Sequence, residues 1–304
     1  MTVSLQEAAR ALGGKVAGVN QILCPGPGHG PGDRSLSVRL AAEAPGGFVV
    51  HSFATDDPFA CRDHVAARLG WPTRSGRAAE QPVRPQVSRP ASDDAERGRR
   101  ALELWHEARR PGGTPVEAYL ARRGLTLPDA DVAIRYHSSC PFAGSRTPAM
   151  VALVRDVASD RPVAVHRTAL TADGRKGEVE GYDRRSLGPV RGGAIKLTPD
   201  EDVITCLGIA EGLETALSLQ LLPEFRRSPV WSLISAGGIA AFPVLAGIEV
   251  LWIAVDHDPA GLAAAEACAD RWEQAGREVY LVRPDVAGAD INDVVARLQE
   301  MPHG

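Results

Sequence analysis

Three short acidic motifs in the last third of the 304-residue chain carry the residue types that handle phosphate and divalent metal. The first is Ala210-Glu211-Gly212. The second is Val255-Asp256-His257-Asp258, followed by Pro259 and Gly261, and the third is Gly288-Ala289-Asp290-Ile291-Asn292-Asp293. Carboxylates are hard oxygen donors, and Mg²⁺ keeps several waters while taking only one or two protein carboxylates. Asp256 and Asp258 alternate by two and are expected to point the same way and share an ion. A site of this kind neutralises phosphate charge and activates an attacking oxygen. Glu211 is expected to stay ionised, because the start of a following helix favours negative charge.

The elements that must position these residues are legible around them. Apolar runs at 203–210, 230–235, 250–255 and 278–282 read as strands, and 214–222, 238–245, 261–275 and 291–298 as helices. Near-continuous apolar strands alternating with helices imply a parallel sheet covered on both faces. In such sheets functional groups collect beyond the carboxyl ends of the strands, where all three motifs fall.

Upstream, residues 94–109 have helical spacing, with Ala101, Leu104, Trp105 and Ala108 on one face. Thr114-Pro115-Val116-Glu117 starts a second helix as a capping box. Residues 149–157 and 162–170 read as two strands, and a glycine-rich basic loop leads to a short strand at 194–197. The proline- and arginine-dotted stretch 72–97 cannot bury enough apolar surface to fold and is read as a linker. Before it lies a small module, 1–71, with helices at 4–12 and 61–69, strands at 35–40 and 47–53, and a knuckle-like CPGPGHGPGDR turn. The expected organisation is therefore 1–71, 72–97, 98–197 and 198–304. The fold class is α/β: a C-terminal parallel sheet with helices on both faces, an α+β basic subdomain before it, and a small N-terminal module.

Charge follows the same division. Residues 1–134 carry a net +2, residues 135–196 a net +5 and residues 197–304 a net −11. A basic segment beside an acidic one suits a protein that grips a polyanion with one part and metal with the other. No secretory signal or run of eighteen apolar residues occurs, so a cytoplasmic protein without membrane contact is expected. Five widely spread cysteines form no disulfide framework. No GxxxxGK[ST] loop occurs, so an attached ATPase is not expected.

The series IAEGLETALS, LWIAVDHDPAG and GADINDVV resembles the Toprim domain of bacterial-type primases, topoisomerases and certain nucleases. The resemblance covers roughly residues 198–304. It implies that Glu211 acts as general acid or base or helps place metal, that Asp256 and Asp258 bind Mg²⁺ (or Mn²⁺), and that Asp290 and Asp293 belong to a third, less regular acidic region. VHRTALTADGRKG and RSLGPVRGGAIKL are similar to the segment preceding Toprim in plasmid- and phage-associated primase-like proteins. There a basic subdomain and the acidic site form a cleft for single-stranded template and nucleotides. The residues that would line it here are Arg146, Arg167, Lys176, Arg184, Arg185 and Lys196. The N-terminal module resembles the primase zinc ribbon but departs from its cysteine pattern, with Ser52 and Asp56 where a second cysteine pair belongs. Cys24, His29, Cys61 and His64 are the alternative Zn²⁺ ligands, with His51 in reserve; a ribbon-like fold without metal is the preferred expectation.

The resemblance implies a Mg²⁺-dependent primer-synthesising nucleotidyltransferase acting on single-stranded DNA and nucleoside triphosphates, with a separate helicase as a possible partner. A Toprim nuclease and a non-catalytic DNA-binding replication-accessory protein are the alternatives.

Overall fold

The computed structural model describes residues 4–284, except 18–19, 43, 55, 72, 74–91, 129–132, 226–227 and 257, together with Ile291. Most of the expected linker, the final helix, His257, Asp290 and Asp293 lie outside the described residues. The chain divides into two units. One comprises Met1–Arg84, Asp200–Thr205 and Val244–Ile248, and the other comprises the remainder.

In the first unit α1 (Leu5–Ala11) begins with a capping box, Ser4 N–H donating to Glu7 Oε2 at 3.0 Å and Glu7 N–H to Ser4 Oγ at 3.3 Å. Strands β1 (Lys15–Val16), β2 (Gln21–Cys24), β3 (Leu36–Leu40) and β4 (Phe48–Ser52) form an antiparallel sheet in that order. Helix α2 (Pro58–Leu69) starts three residues earlier than its apolar spacing suggests. Asp57 caps it by accepting from Ala60 N–H at 2.8 Å, and Pro58 fits the first turn. Alternate residues Ile22, Cys24, Leu36 and Val38 bury against Leu12, Cys61 and Val65 as one core.

The second unit opens with α3 (Ser92–Glu107), which takes in the last residues of the stretch expected to be linker, and α4 (Pro115–Ala121). Then come β5 (Ile134–Phe142), β6 (Ser145–Asp156), β7 (Pro162–Ala169), β8 (Arg184–Leu187) and β9 (Gly193–Lys196). They are followed by β10 (Cys206–Ala210), α5 (Leu213–Leu219), β11 (Val230–Ser232), α6 (Ala236–Ala240), β12 (Val250–Ala254), α7 (Pro259–Gln274) and β13 (Glu278–Val282). Strands β10 to β13 pair parallel, as expected, in the order β13-β12-β10-β11. The basic subdomain continues the same sheet. Strand β9 pairs antiparallel with both β11 and β6, so one nine-stranded mixed sheet runs through both parts.

Strand alternation divides the sheet into two faces. On one, Val230, Ala254, Met150 and Ala152 join Tyr119 and Leu120 of α4 and Leu213, Ala216 and Leu217 of α5 in a shared core. On the other, α3 covers Val151 and Val165. There Trp231 meets Phe242 edge-on at 6.2 Å, and Phe242 stacks on Trp272 of α7 at 5.8 Å.

Gly208 in the middle of β10 lets Phe225 close down on the sheet: a Cβ there would stand 2.6 Å from Phe225 Cζ and 3.2 Å from Leu219 Cδ1. Gly208→Val is therefore expected to destabilise this unit by about 1–3 kcal/mol through overpacking. Urea unfolding of the two proteins measures it, and an unchanged midpoint would contradict the packing described.

Candidate active site

Strands β10 and β12 are hydrogen-bonded neighbours, with Ile209 opposite Ile253. Their parallel run brings Glu211, just past the end of β10, beside Asp256, just past the end of β12. The loop after β11 fixes Glu211. Its carbonyl accepts from Ser232 Oγ at 2.8 Å and from Ile234 N–H at 2.9 Å. Ile234 has φ +72°, a left-handed conformation that a β-branched residue adopts only under strain. The strained loop also brings the Ala236 N–H to the Glu211 carboxylate.

Asp256 and Asp258 are held by the start of α7. Asp258 caps that helix, accepting from Gly261 N–H at 2.7 Å. Gly261 lies against Asp256: a Cβ on it would stand 2.7 Å from the Asp256 carbonyl oxygen. Asp258 therefore has a structural duty that its spacing did not announce.

The surroundings of Glu211 oppose its ionisation where the sequence alone suggests help from the following helix. Burial pushes its carboxyl pKa up, and the charges of Asp256 and Asp258 push it further; the Ala236 N–H and Arg184 oppose them. Two carboxylate neighbours and partial burial outweigh any help from the seven-residue α5. A concentration of negative charge that raises a neighbouring carboxyl is chemically suited to a divalent cation. Among the described residues no set of three or more His, Cys, Asp or Glu side chains stands ready to enclose one. Carboxylate oxygens are the donors taken by an ion that keeps most of its waters, such as Mg²⁺.

Glu211 also lines a cavity with His166, Thr168, Arg184, Gly212, Glu214, Ser232 and Ile234. On paired strands β7 and β8, Arg184 lies opposite Thr168 and Ser186 opposite His166, so Arg184 shares their face. His166 donates to or accepts from Ser186 Oγ at 3.0 Å. Burial, reinforced by Arg184, pushes its imidazole down to about 4, so it is neutral at physiological pH. Glu214 is only 5% exposed and accepts from the Tyr119 hydroxyl at 2.6 Å. Burial pushes Glu214 up, but Arg184, Tyr119 and Arg123 more than offset this and leave its pKa lowered. The sequence motifs do not single out His166, Glu214 or Tyr119 as site residues.

Of the six basic residues expected at the cleft, only Arg184 lines this cavity. Arg167 and Lys196 must be reassigned, because alternation turns them to the opposite face. Arg167 is buried and donates to the carbonyls of Pro141 (2.6 Å), Arg185 (3.3 Å) and Ser186 (3.3 Å). Lys196 is buried over the Trp231 ring, donating to Val157 O at 3.3 Å and paired with Asp160 at 3.0 Å. Both hold the sheet together. Arg185 is exposed on that face, over Tyr182 at 4.7 Å. Lys176 pairs with Asp183, and exposed Arg146 donates to Ser139 Oγ at 3.0 Å.

A glutamate and an Asp-x-Asp pair at adjacent ends of parallel strands make this an α/β protein with a carboxylate-rich site at its sheet edge. Residues 206–299 match the Toprim domain family, and this part of the chain is a Toprim domain. Residues 95–197 match a domain of unknown function, DUF7146. No curated protein matches the chain. Among solved structures it is similar to the primase fragment of the bacteriophage T7 primase-helicase protein, at 17% identity and TM-score 0.42 over 60% of this chain and 70% of that one. It is also similar to the Aquifex aeolicus primase zinc-binding and RNA polymerase domains, at 14% identity and TM-score 0.44 over 99% and 85%. A DNA primase domain from Pseudomonas aeruginosa gives 13% identity and TM-score 0.44 over 66% and 74%.

Among the described residues, no three of the alternative zinc ligands of the first unit form a group that could hold an ion. Cys24 and Cys61 are core residues whose thiols burial pushes up to about 11, and Cys61 lies beside Asp56 and Asp57. The His29 ring instead bridges two carboxylates, Nδ1 to Asp33 at 2.9 Å and Nε2 to Asp56 at 3.2 Å. Ser52, at the other missing cysteine position, donates to Asp56 at 2.8 Å. Carboxylates on opposite nitrogens of one ring cannot converge on one ion. The hydrogen bond to Asp33 raises the His29 pKa, with burial opposing and Asp56 assisting. The Ser35 and His29 hydrogen bonds hold Asp33 far below the carboxylate range. The His29 contribution to stability is therefore complete below its ordinary value near 6.5 and is lost as pH rises through the raised one. That of Asp33 is present above its ordinary range and is lost only in strong acid. Hydrogen exchange at residues 29–35, 52–54 and 56–57 is expected to show His29→Asn loosening this unit most below the ordinary His29 value near 6.5 and least above the raised one. Equal loosening at both would contradict a charged bridge.

Proposed function

We propose that the chain is a primase-type nucleotidyltransferase that makes short primers on single-stranded DNA, using Mg²⁺ or Mn²⁺ at Glu211, Asp256 and Asp258. The observation that carries this reading is that Glu211, under the charges of Asp256 and Asp258, shares one cavity with the guanidinium of Arg184. Carboxylates and a cation facing the same space suit a reaction in which a 3′-hydroxyl attacks the α-phosphorus of a nucleoside triphosphate, the α–β anhydride bond breaks and pyrophosphate leaves. A bound divalent ion would supply neutralisation of phosphate charge there. Glu211 accepts the proton of the attacking 3′-hydroxyl or orients it. Arg184 takes a phosphate oxygen, for which a guanidinium fork is suited. Neutral His166 and Thr168 offer hydrogen bonds without adding charge. Arg146 and Lys176 supply salt-dependent contacts to template backbone, and Asp290 and Asp293 extend the acidic set. A helicase partner and a cytoplasmic setting belong to the same reading; no described helix is long and apolar enough to cross a membrane.

Incubation with single-stranded template, labelled nucleotides and Mg²⁺ tests the proposal. Extended products are expected; shortened template would establish a nuclease, and retention of template alone an accessory protein. Glu211→Gln preserves size and is expected to change stability by less than about 1 kcal/mol. It should lower synthesis by roughly 10²–10⁴-fold, the usual loss with a general base, and leave template retention intact. Synthesis by Glu211→Gln at the wild-type rate would overturn the assignment.

A further inference from the structure

Glu214 is a buried carboxylate outside the acidic motif set, three residues past Glu211 on the first turn of α5. A buried charge survives only where partners compensate its lost hydration. One partner is the Tyr119 hydroxyl of α4, 2.6 Å from Oε1; Tyr119 is itself only 3% exposed. The foremost charge partner is Arg184 of β8. Gly212 leaves the space between them: a Cβ there would stand 3.8 Å from Glu214 Oε2 and 3.9 Å from Arg184 Nη1. Arg184 itself is exposed on a four-residue strand at the sheet's end, so its own strand does little to fix its side chain. Of the carboxylates that Arg184 acts on, Glu214 is the buried one, and Tyr119 holds it in place.

We propose that Glu214 and Tyr119 are positioning residues, which aim the Arg184 guanidinium into the cavity beside Glu211 to receive a phosphate oxygen of nucleotide or template. The inference rests on the proposed phosphate chemistry and adds to it how the one cavity-lining arginine is held. It also accounts for a costly feature, a buried carboxylate–phenol pair joining elements 95 residues apart.

The sign of one effect separates positioning from simple electrostatics. Removing a negative charge near an anion site strengthens anion binding if that charge acts only through space. If Glu214 aims Arg184, its loss weakens binding. The probes are ATP with Mg²⁺ in one arm and a single-stranded oligodeoxynucleotide in the other. Each is titrated against full-length wild type, Arg184→Ala, Glu214→Gln, Tyr119→Phe and the double variant Glu214→Gln/Arg184→Ala. Glu214→Gln is expected to weaken binding at least about tenfold, the scale on which loss of a supporting partner acts. Tyr119→Phe should weaken it in the same direction by less, and the double variant no more than Arg184→Ala alone. The arm in which the losses appear identifies the phosphate source. Tyr119→Phe removes one oxygen and keeps the packing, so it reads the same tie should Glu214→Gln lower the unfolding midpoint. Tighter or unchanged binding by Glu214→Gln and Tyr119→Phe, with Arg184→Ala impaired, would overturn the positioning role alone. Unimpaired Arg184→Ala in both arms would overturn the phosphate role of Arg184 and this inference with it.

Discussion

Negative charge gathered at the ends of β10 and β12 has to be held against its own repulsion, and much of the second unit is arranged around that requirement. Glu211, Asp256 and Asp258 lie close enough for the aspartates to raise the Glu211 pKa, and Glu214 stands one helical turn away. Like charges disfavour one another most where water is scarce. Three of these four carboxylates are accordingly tied: Glu211 by the Ala236 N–H, Asp258 by the Gly261 N–H, Glu214 by Tyr119. The cation that reaches both Glu211 and Glu214 is Arg184, supplied by the basic subdomain.

That supply explains why the two parts share a sheet. A separate basic layer would need its own core and an interface to hold Arg184 in register with Glu211. Pairing β9 between β6 and β11 makes the register a matter of backbone hydrogen bonds. The buried cations Lys196 and Arg167 then act inside the fold, neutralising Asp160 and satisfying carbonyls of β5 and β8 on the face away from the cavity. Backbone strain at Ile234 fits the same account: a residue held at φ +72° persists only where its surroundings over-determine it, here two hydrogen bonds converging on the Glu211 carbonyl.

Much of this was legible in the sequence, for identifiable reasons. Glu211 and Asp256 stand directly after near-continuous apolar strands, where a parallel sheet exposes its functional groups. Strand β5 escaped notice because Pro141 and a register shift between His137 and Cys140 break its alternation. Strand β8 was hidden among the glycines and arginines of its loop. Arg167 and Lys196 are expected in the cleft and instead lie buried on the other face. The clue against this was available for Lys196, whose neighbours in Gly193-Ala194-Ile195-Lys196 are all apolar or small and all buried. Glu214 reads as an ordinary acidic residue in the first turn of a helix, and nothing local links it to Tyr119. A contact between residues so far apart is a product of tertiary packing, as is the left-handed turn at an isoleucine.

The claim on which the rest depends is that the Glu211, Asp256 and Asp258 carboxylates together hold a divalent cation. Its most direct test is a titration with Mn²⁺ followed by electron paramagnetic resonance, which counts free and bound ion without requiring activity. Wild type is expected to bind Mn²⁺ saturably in competition with Mg²⁺, with affinity falling by about tenfold or more in Asp256→Asn. Equal binding by both proteins, or no saturable site in the wild type, would contradict the account.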